Sequence, residues 1–207
     1  MARYRGSVCR LCRAEGKKLY LKGDRCDSPK CAIEKRNFAP GQHGRNRKKP
    51  SEYAIQLREK QKVRRAYGLL EKSFYRYYEQ ASRKKGNTGT LLLQSLELRL
   101  DNFVYRSGLI ASRAQARQAI LHGHFLLNGE KVNIPSHPVK VGDVVTVRER
   151  SISIVRAMYE SRQSKPMLPV WIGADYDALK LSVLAQPQRE DFDATIQEQL
   201  IIEYYSR

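Results

Sequence analysis

The stretch Ser112–Gly129, SRAQARQAILHGHFLLNG, changes its periodicity halfway. Up to Leu121 the apolar residues Ala116, Ala119 and Ile120 recur at helical spacing. Ser112 stands where a helix is capped and Gly123 where one ends. From His124 onward the pattern shifts to period two, and Asn128-Gly129 is the strongest short signal for a hairpin. Pro135 and Pro138 then break the chain, and VKVGDVVTVRE (139–149) supplies further strand across Gly142-Asp143. A helix leading straight into a hairpin calls for helices packed on an antiparallel sheet, an α+β unit rather than a parallel one.

Working outward toward the N-terminus, Leu93, Leu96, Leu100 and Val104 form an apolar stripe that predicts a helix from about Thr90 to Arg106, stopped by Gly108. Leu96–Glu149 thus reads as a compact helix–helix–sheet unit. Before it lie two more helices. One starts at Ser51 as N-cap, carries Glu52 in its first turn and stops at Gly68. Its Arg58, Lys62 and Arg65 share one side, a stripe suited to a phosphate backbone. The other covers about Glu71–Lys85 and buries Leu70, Phe74, Tyr78 and Ala81. Tyr75, Tyr77 and Tyr78 fit either a core or a base-stacking surface.

All four cysteines fall between Cys9 and Cys31, in CRLCRAEGKKLYLKGDRCDSPKC. Four thiols at such spacing serve either disulfides or a metal. The opening MARYRGSVCR has no apolar segment of the secretory kind, which predicts a cytoplasmic chain with reduced thiols. Cys9-x2-Cys12 and Cys26-x4-Cys31 then fit a structural zinc site with four thiolate ligands. The same donor set also suits an iron–sulfur cluster. Four thiolates leave no open position, so catalytic metal chemistry is not expected.

Charge is the next signal. The chain carries +18, and the first hundred residues hold 26 Lys/Arg against 9 Asp/Glu, whereas residues 151–207 hold 6 against 8. An excess this lopsided is costly unless a polyanion neutralises it. Nucleic acid is the first candidate. A membrane surface fits poorly, because the single Trp, Trp171, lies far from the basic half. Between the cysteines and the first long helix, PGQHG (40–44) breaks regular structure and Arg45, Arg47, Lys48 and Lys49 follow, as an arm that can lie along phosphates. In the sheet unit, Arg113 and Arg117 are i, i+4 neighbours near a helix start. His43, His122 and His124 sit in basic segments, where phosphate or base contact suits them better than acid–base catalysis. Leu200–Tyr205 predicts a short C-terminal helix.

Several stretches together resemble the bacterial family of small-subunit ribosomal protein four: ARYRG (2–6), the four-cysteine segment, PGQHG, SEYAIQLREKQKVRR (51–65), LELRLDNFVYRSG (96–108), the quoted Ser112–Gly129 and the terminal EQLIIEYYSR. The resemblance spans nearly the whole chain. It implies a zinc-finger-containing form of that protein, a primary binder of small-subunit ribosomal RNA at a helical junction of the 5′ domain. It further implies nucleation of small-subunit assembly, a place beside small-subunit proteins three and five near the messenger-RNA entry channel, and an influence on translational accuracy. The implied organisation is a four-cysteine metal module and basic arm (1–45), a helical domain (46–95, completed by about 185–207) and an inserted RNA-binding domain (96–184) with two helices on an antiparallel sheet. The candidate metal ligands are Cys9, Cys12, Cys26 and Cys31. The candidate RNA contacts are Arg3, Arg5, His43, Arg45, Arg47, Lys48, Lys49, Arg58, Lys62, Arg65, Ser112, Arg113, Arg117, His122 and His124.

Two other classes are weighed against this one. An RNA-modifying enzyme can carry a module like 96–149, but it needs a catalytic domain, and no Ser/His/Asp, Walker-type or HExxH arrangement is present. A zinc-dependent DNA-binding regulator would also be basic; preference for structured RNA over duplex DNA separates it from a ribosomal protein. No small-molecule substrate is expected.

Overall fold

A computed structural model describes residues 3–45, 49–162 and 167–207, and the chain divides into two compact units. The first comprises Met1–Leu93 with Asp193–Arg207, and the second is Gln94–Phe192.

In the first unit, α1 (Cys9–Glu15) and the single turn α2 (Ala32–Lys35) bracket a 3-10 turn at Gly23–Cys26. The long helix α3 (Glu52–Ala66) begins where its cap predicts, with the Ser51 hydroxyl accepting the Ala54 N–H at 3.3 Å. α4 spans Glu71–Ser82, three residues short of the expected end, and α5 (Thr88–Glu97) starts in this unit and ends in the second. The C-terminal α9 (Glu198–Tyr205) packs on α3. Val63, Phe74 and Ile201 are fully buried in this unit. Tyr205 stacks on Tyr78 at 4.5 Å, and its hydroxyl donates to Glu71 at 2.8 Å. Burial and that carboxylate push the Tyr205 pKa well above the ordinary range. The tyrosines of α4 thus serve in part as packing.

The second unit holds the remaining helices and the sheet. α6 (Leu100–Arg106) and α7 (Arg113–Leu121) pack together. They are followed by β1 (Phe125–Leu127), β2 (Glu130–Lys131), β3 (Val144–Val147), α8 (Ile152–Glu160), β4 (Ile172–Asp175) and β5 (Lys180–Val183). The sheet is antiparallel in the order β2-β1-β3-β5-β4. Asn128 and Gly129 both take positive φ, 51° and 86°, as a two-residue hairpin turn with its right-handed twist requires. Phe103, Leu109, Ile110, Ile120, Phe125 and Val145 are fully buried at the core, and the Phe103 ring lies 5.9 Å from that of Trp171.

One expectation is corrected here. The stripe from Thr90 to Arg106 is not one helix. It breaks at Leu98-Arg99, where Arg99 is extended (φ −72°, ψ 137°) and bridges Pro138. Leu98 O accepts from Val139 N–H at 2.8 Å, and the Leu100 and Asp101 N–H groups donate to His137 O and Pro135 O. The proline segment 135–139 therefore takes up backbone groups that an unbroken helix would have paired within itself. Hydrophobic spacing continues through the break, so periodicity cannot see it. Among the described residues no helix is long and apolar enough to cross a membrane.

Phe103 fills the middle of the second unit's core. Phe103→Ala is expected to cost about 3–5 kcal/mol, read as a lowered denaturant midpoint of the full-length protein.

Candidate nucleic-acid interface

The cysteine segment is folded tightly. Cys9 and Cys12 lie on α1, Cys26 closes the 3-10 turn and Cys31 caps α2. Cys12, Cys26 and Cys31 are buried, and all four are free thiols. The Lys22 N–H donates to Cys26 Sγ at 3.4 Å. Burial pushes the Cys12 thiol up, and the other three sulfurs lie near enough to raise it further; Cys26 is raised in the same way, by burial first and then by Cys31 and Cys9. As placed, no three His, Cys, Asp or Glu side chains among the described residues form a group that could hold a metal ion. The expected four-cysteine metal module therefore does not emerge from this geometry.

The same segment is docked on α3. Glu15, whose side chain is 1% exposed, pairs with Arg65 and stands 3.6 Å from Arg58. Burial drives the Glu15 pKa up while Arg65 and Arg58 pull against it. This changes the expected basic stripe on α3. Lys62 is buried, and its ammonium donates to Thr195 O at 2.6 Å and pairs with Glu59 at 2.6 Å. Arg65 is committed to Glu15, so of the three residues only Arg58 is exposed. Helical spacing put them on one side, but α1 and the chain leading into α9 cover that side at Lys62 and Arg65 and leave Arg58 open.

In the second unit, Ser112 caps α7 by accepting the Gln115 N–H at 3.3 Å. The two arginines that follow are engaged within the protein. Arg113 Nε donates to Asn102 Oδ1 at 2.8 Å, with its guanidinium 4.4 Å above the Tyr105 ring. Arg117 pairs with Asp101 at 3.1 Å, and Asp101 also takes a two-pronged grip from Arg99 at 2.6 and 3.0 Å. Alongside, the fully buried Glu97 accepts from Arg106 at 2.6 and 3.0 Å and from Asn102 at 2.7 Å. Sequence spacing alone left these carboxylates unnoticed. His124 Nδ1 lies 2.9 Å from Ser151 Oγ, its ring edge-on to the exposed His122. Burial, then His122 and Arg150, hold the His124 pKa below its ordinary value.

Most of the expected basic contacts that stay exposed lie in the N-terminal half. Arg3, Arg5, His43, Arg45 and Lys49 are all exposed, while Arg47 and Lys48 lie outside the described residues. One group was missed from sequence: Arg13, on α1, donates from Nε to Phe38 O at 3.0 Å and from Nη2 to Ala39 O at 3.4 Å. It ties the start of the PGQHG arm to the cysteine segment. The only sequence signal for it is its position beside Cys12.

Because Arg117 closes a buried ion pair, Arg117→Glu sets a second carboxylate against Asp101. The variant is expected to lose about 3 kcal/mol or more of stability, read from denaturant unfolding. A change within about 0.5 kcal/mol, the range of an ordinary surface substitution, would mean that the guanidinium is not holding Asp101.

The comparisons agree with this anatomy. Residues 3–97 match the family model described as the ribosomal protein S4/S9 N-terminal domain, and residues 98–145 match the S4 domain. The small ribosomal subunit protein uS4A of Symbiobacterium thermophilum is 59% identical over 207 residues, covering both chains completely. The uS4 proteins of Pelotomaculum thermopropionicum and Gloeobacter violaceus are each 57% identical, again over the full length of both chains. With two family models covering residues 3–145 and relatives this similar from end to end, the chain belongs to the uS4 family of small-subunit ribosomal proteins.

Proposed function

We propose that this protein is a structural constituent of the small ribosomal subunit, in the cytoplasm, and acts by binding small-subunit ribosomal RNA rather than by catalysis. The observation that carries this reading is the charge distribution: 26 basic against 9 acidic residues in the first hundred, with Arg3, Arg5, His43, Arg45, Lys49 and Arg58 exposed. Such a surface supplies counterion-releasing contacts to phosphates. The RNA target is a helical junction of the 5′ domain, bound early enough to nucleate assembly. Small-subunit proteins three and five are the neighbours, near the messenger-RNA entry channel, and the protein contributes there to translational accuracy. In the second unit Ser112, His122 and the start of α7 face RNA, with Arg113 and Arg117 shaping that surface from within.

We also assign the cysteines to zinc. The spacing Cys9-x2-Cys12 and Cys26-x4-Cys31 is what supports a closed four-thiolate site, and the sulfurs as placed have yet to be drawn together into one. A bound zinc supplies folding free energy and no reaction. Cys9, Cys12, Cys26 and Cys31 would hold it once deprotonated, and the N–H of Lys22 already points at one sulfur.

Two measurements test these readings. If about ten phosphates are neutralised, the logarithm of affinity for a 5′-domain RNA fragment should fall with log salt at a slope of roughly −7 to −9. A slope shallower than about −3 would remove the RNA reading. Purified protein should contain one zinc per chain and lack the visible absorption of an iron–sulfur cluster. Cys31→Ser should release the zinc and make residues 1–45 protease-sensitive while α3 remains folded. Metal-free wild-type protein with the same protease pattern would rule the zinc out.

A further inference from the structure

We propose that Arg13 and Arg45, gathered on the ring of Phe38, form a binding site for one or two adjacent phosphates of an RNA backbone. The site rests on the reading of this protein as an RNA binder and adds to it a location, a residue outside the expected contacts and a positioning ring.

The Arg13 guanidinium carbon stands 5.0 Å from the Phe38 ring centroid and that of Arg45 stands 4.9 Å from it. Each contact is individually favourable, since a guanidinium is attracted to a ring within about 6 Å. Together they gather two cations at one small ring. A cation held in place in this way is usually paired with a carboxylate. Here the two glutamates of the neighbouring chain are already engaged: Glu15 with Arg65 and Arg58, and Glu34 with Lys18 at 2.7 Å. Among the described residues neither Arg13 nor Arg45 has a carboxylate partner, and the Nη1 group of Arg13 donates to no protein acceptor. An anion is therefore the missing partner, and planar guanidinium donors suit phosphate oxygens.

The site is also built rather than accidental. Arg13 spends two donors on the carbonyls of Phe38 and Ala39, which fixes where the arm leaves α2. The arm then turns sharply. Gly41 sits at φ 105°, the Gly44 N–H reaches Gly41 O at 3.3 Å, and a side chain at Gly44 would collide with the Ala39 carbonyl. This turn is what returns Arg45 to the ring that Arg13 already touches. Phe38 is thus a positioning residue, and the two arginines are the contacts.

The experiment measures affinity of full-length variants for a 5′-domain ribosomal RNA fragment at several salt concentrations, with thermal melting alongside. Arg13→Gln and Arg45→Gln are each expected to bind roughly tenfold more weakly and to flatten the salt slope by about one. Arg45→Lys should keep the slope. Phe38→Ala should weaken binding as the arginines scatter, and Phe38→Tyr should restore it. A steep wild-type slope that Arg13→Gln leaves unchanged overturns the site alone, whether or not melting falls. A shallow slope in the wild-type protein overturns the RNA reading beneath it.

Discussion

Buried carboxylates decide what the arginines of this protein can do. Asp101 is 5% exposed and Glu97 fully buried, and between them they hold Arg99, Arg117 and Arg106, with Asn102 carrying the chain of contacts on to Arg113. An acid taken out of water needs partners or it stays neutral, and removing one partner leaves the rest uncompensated. The break between α5 and α6 exists inside this network. The Asp101 N–H is bonded to Pro135 O while its side chain anchors α7, so one residue fixes both the segment 135–139 and α7. The sheet begins four residues after α7, at Phe125, and inherits that orientation.

Glu15 does the same task in the first unit. Its pairing with Arg65 and Arg58 fastens the cysteine segment to α3, so the segment is not an independent bead on the N-terminus. The consequence is a division of labour among basic residues. Lys60, Lys62 and Arg65 face inward and pair with acids, Lys62 also donating to a carbonyl, while Arg3, Arg5, Arg45 and Lys49 are exposed on the N-terminal segment and arm.

Much of the architecture was legible because it is written in local chemistry. Ser51 and Ser112 as caps, Asn128-Gly129 as a hairpin turn and the switch from period 3.6 to period two all act within a few residues. The α5–α6 break was not legible, because its cause lies almost forty residues away in sequence, in the carbonyls of Pro135 and His137. The candidate site was legible in part. Exposure of the arm follows from its composition, but Arg13 enters only through contacts with Phe38 and Ala39.

Motifs and composition need no partner to be read, and they were enough for the family, the α+β character and the strongly basic N-terminal half. Tertiary structure alone decided which cations are spent. Arg58, Lys62 and Arg65 share a helix side in any α-helix, but burial of Lys62 beneath Thr195 and of Glu15 against Arg65 depends on what packs there. Whether a charge faces solvent is a property of its surroundings, and those surroundings come from residues far along the chain.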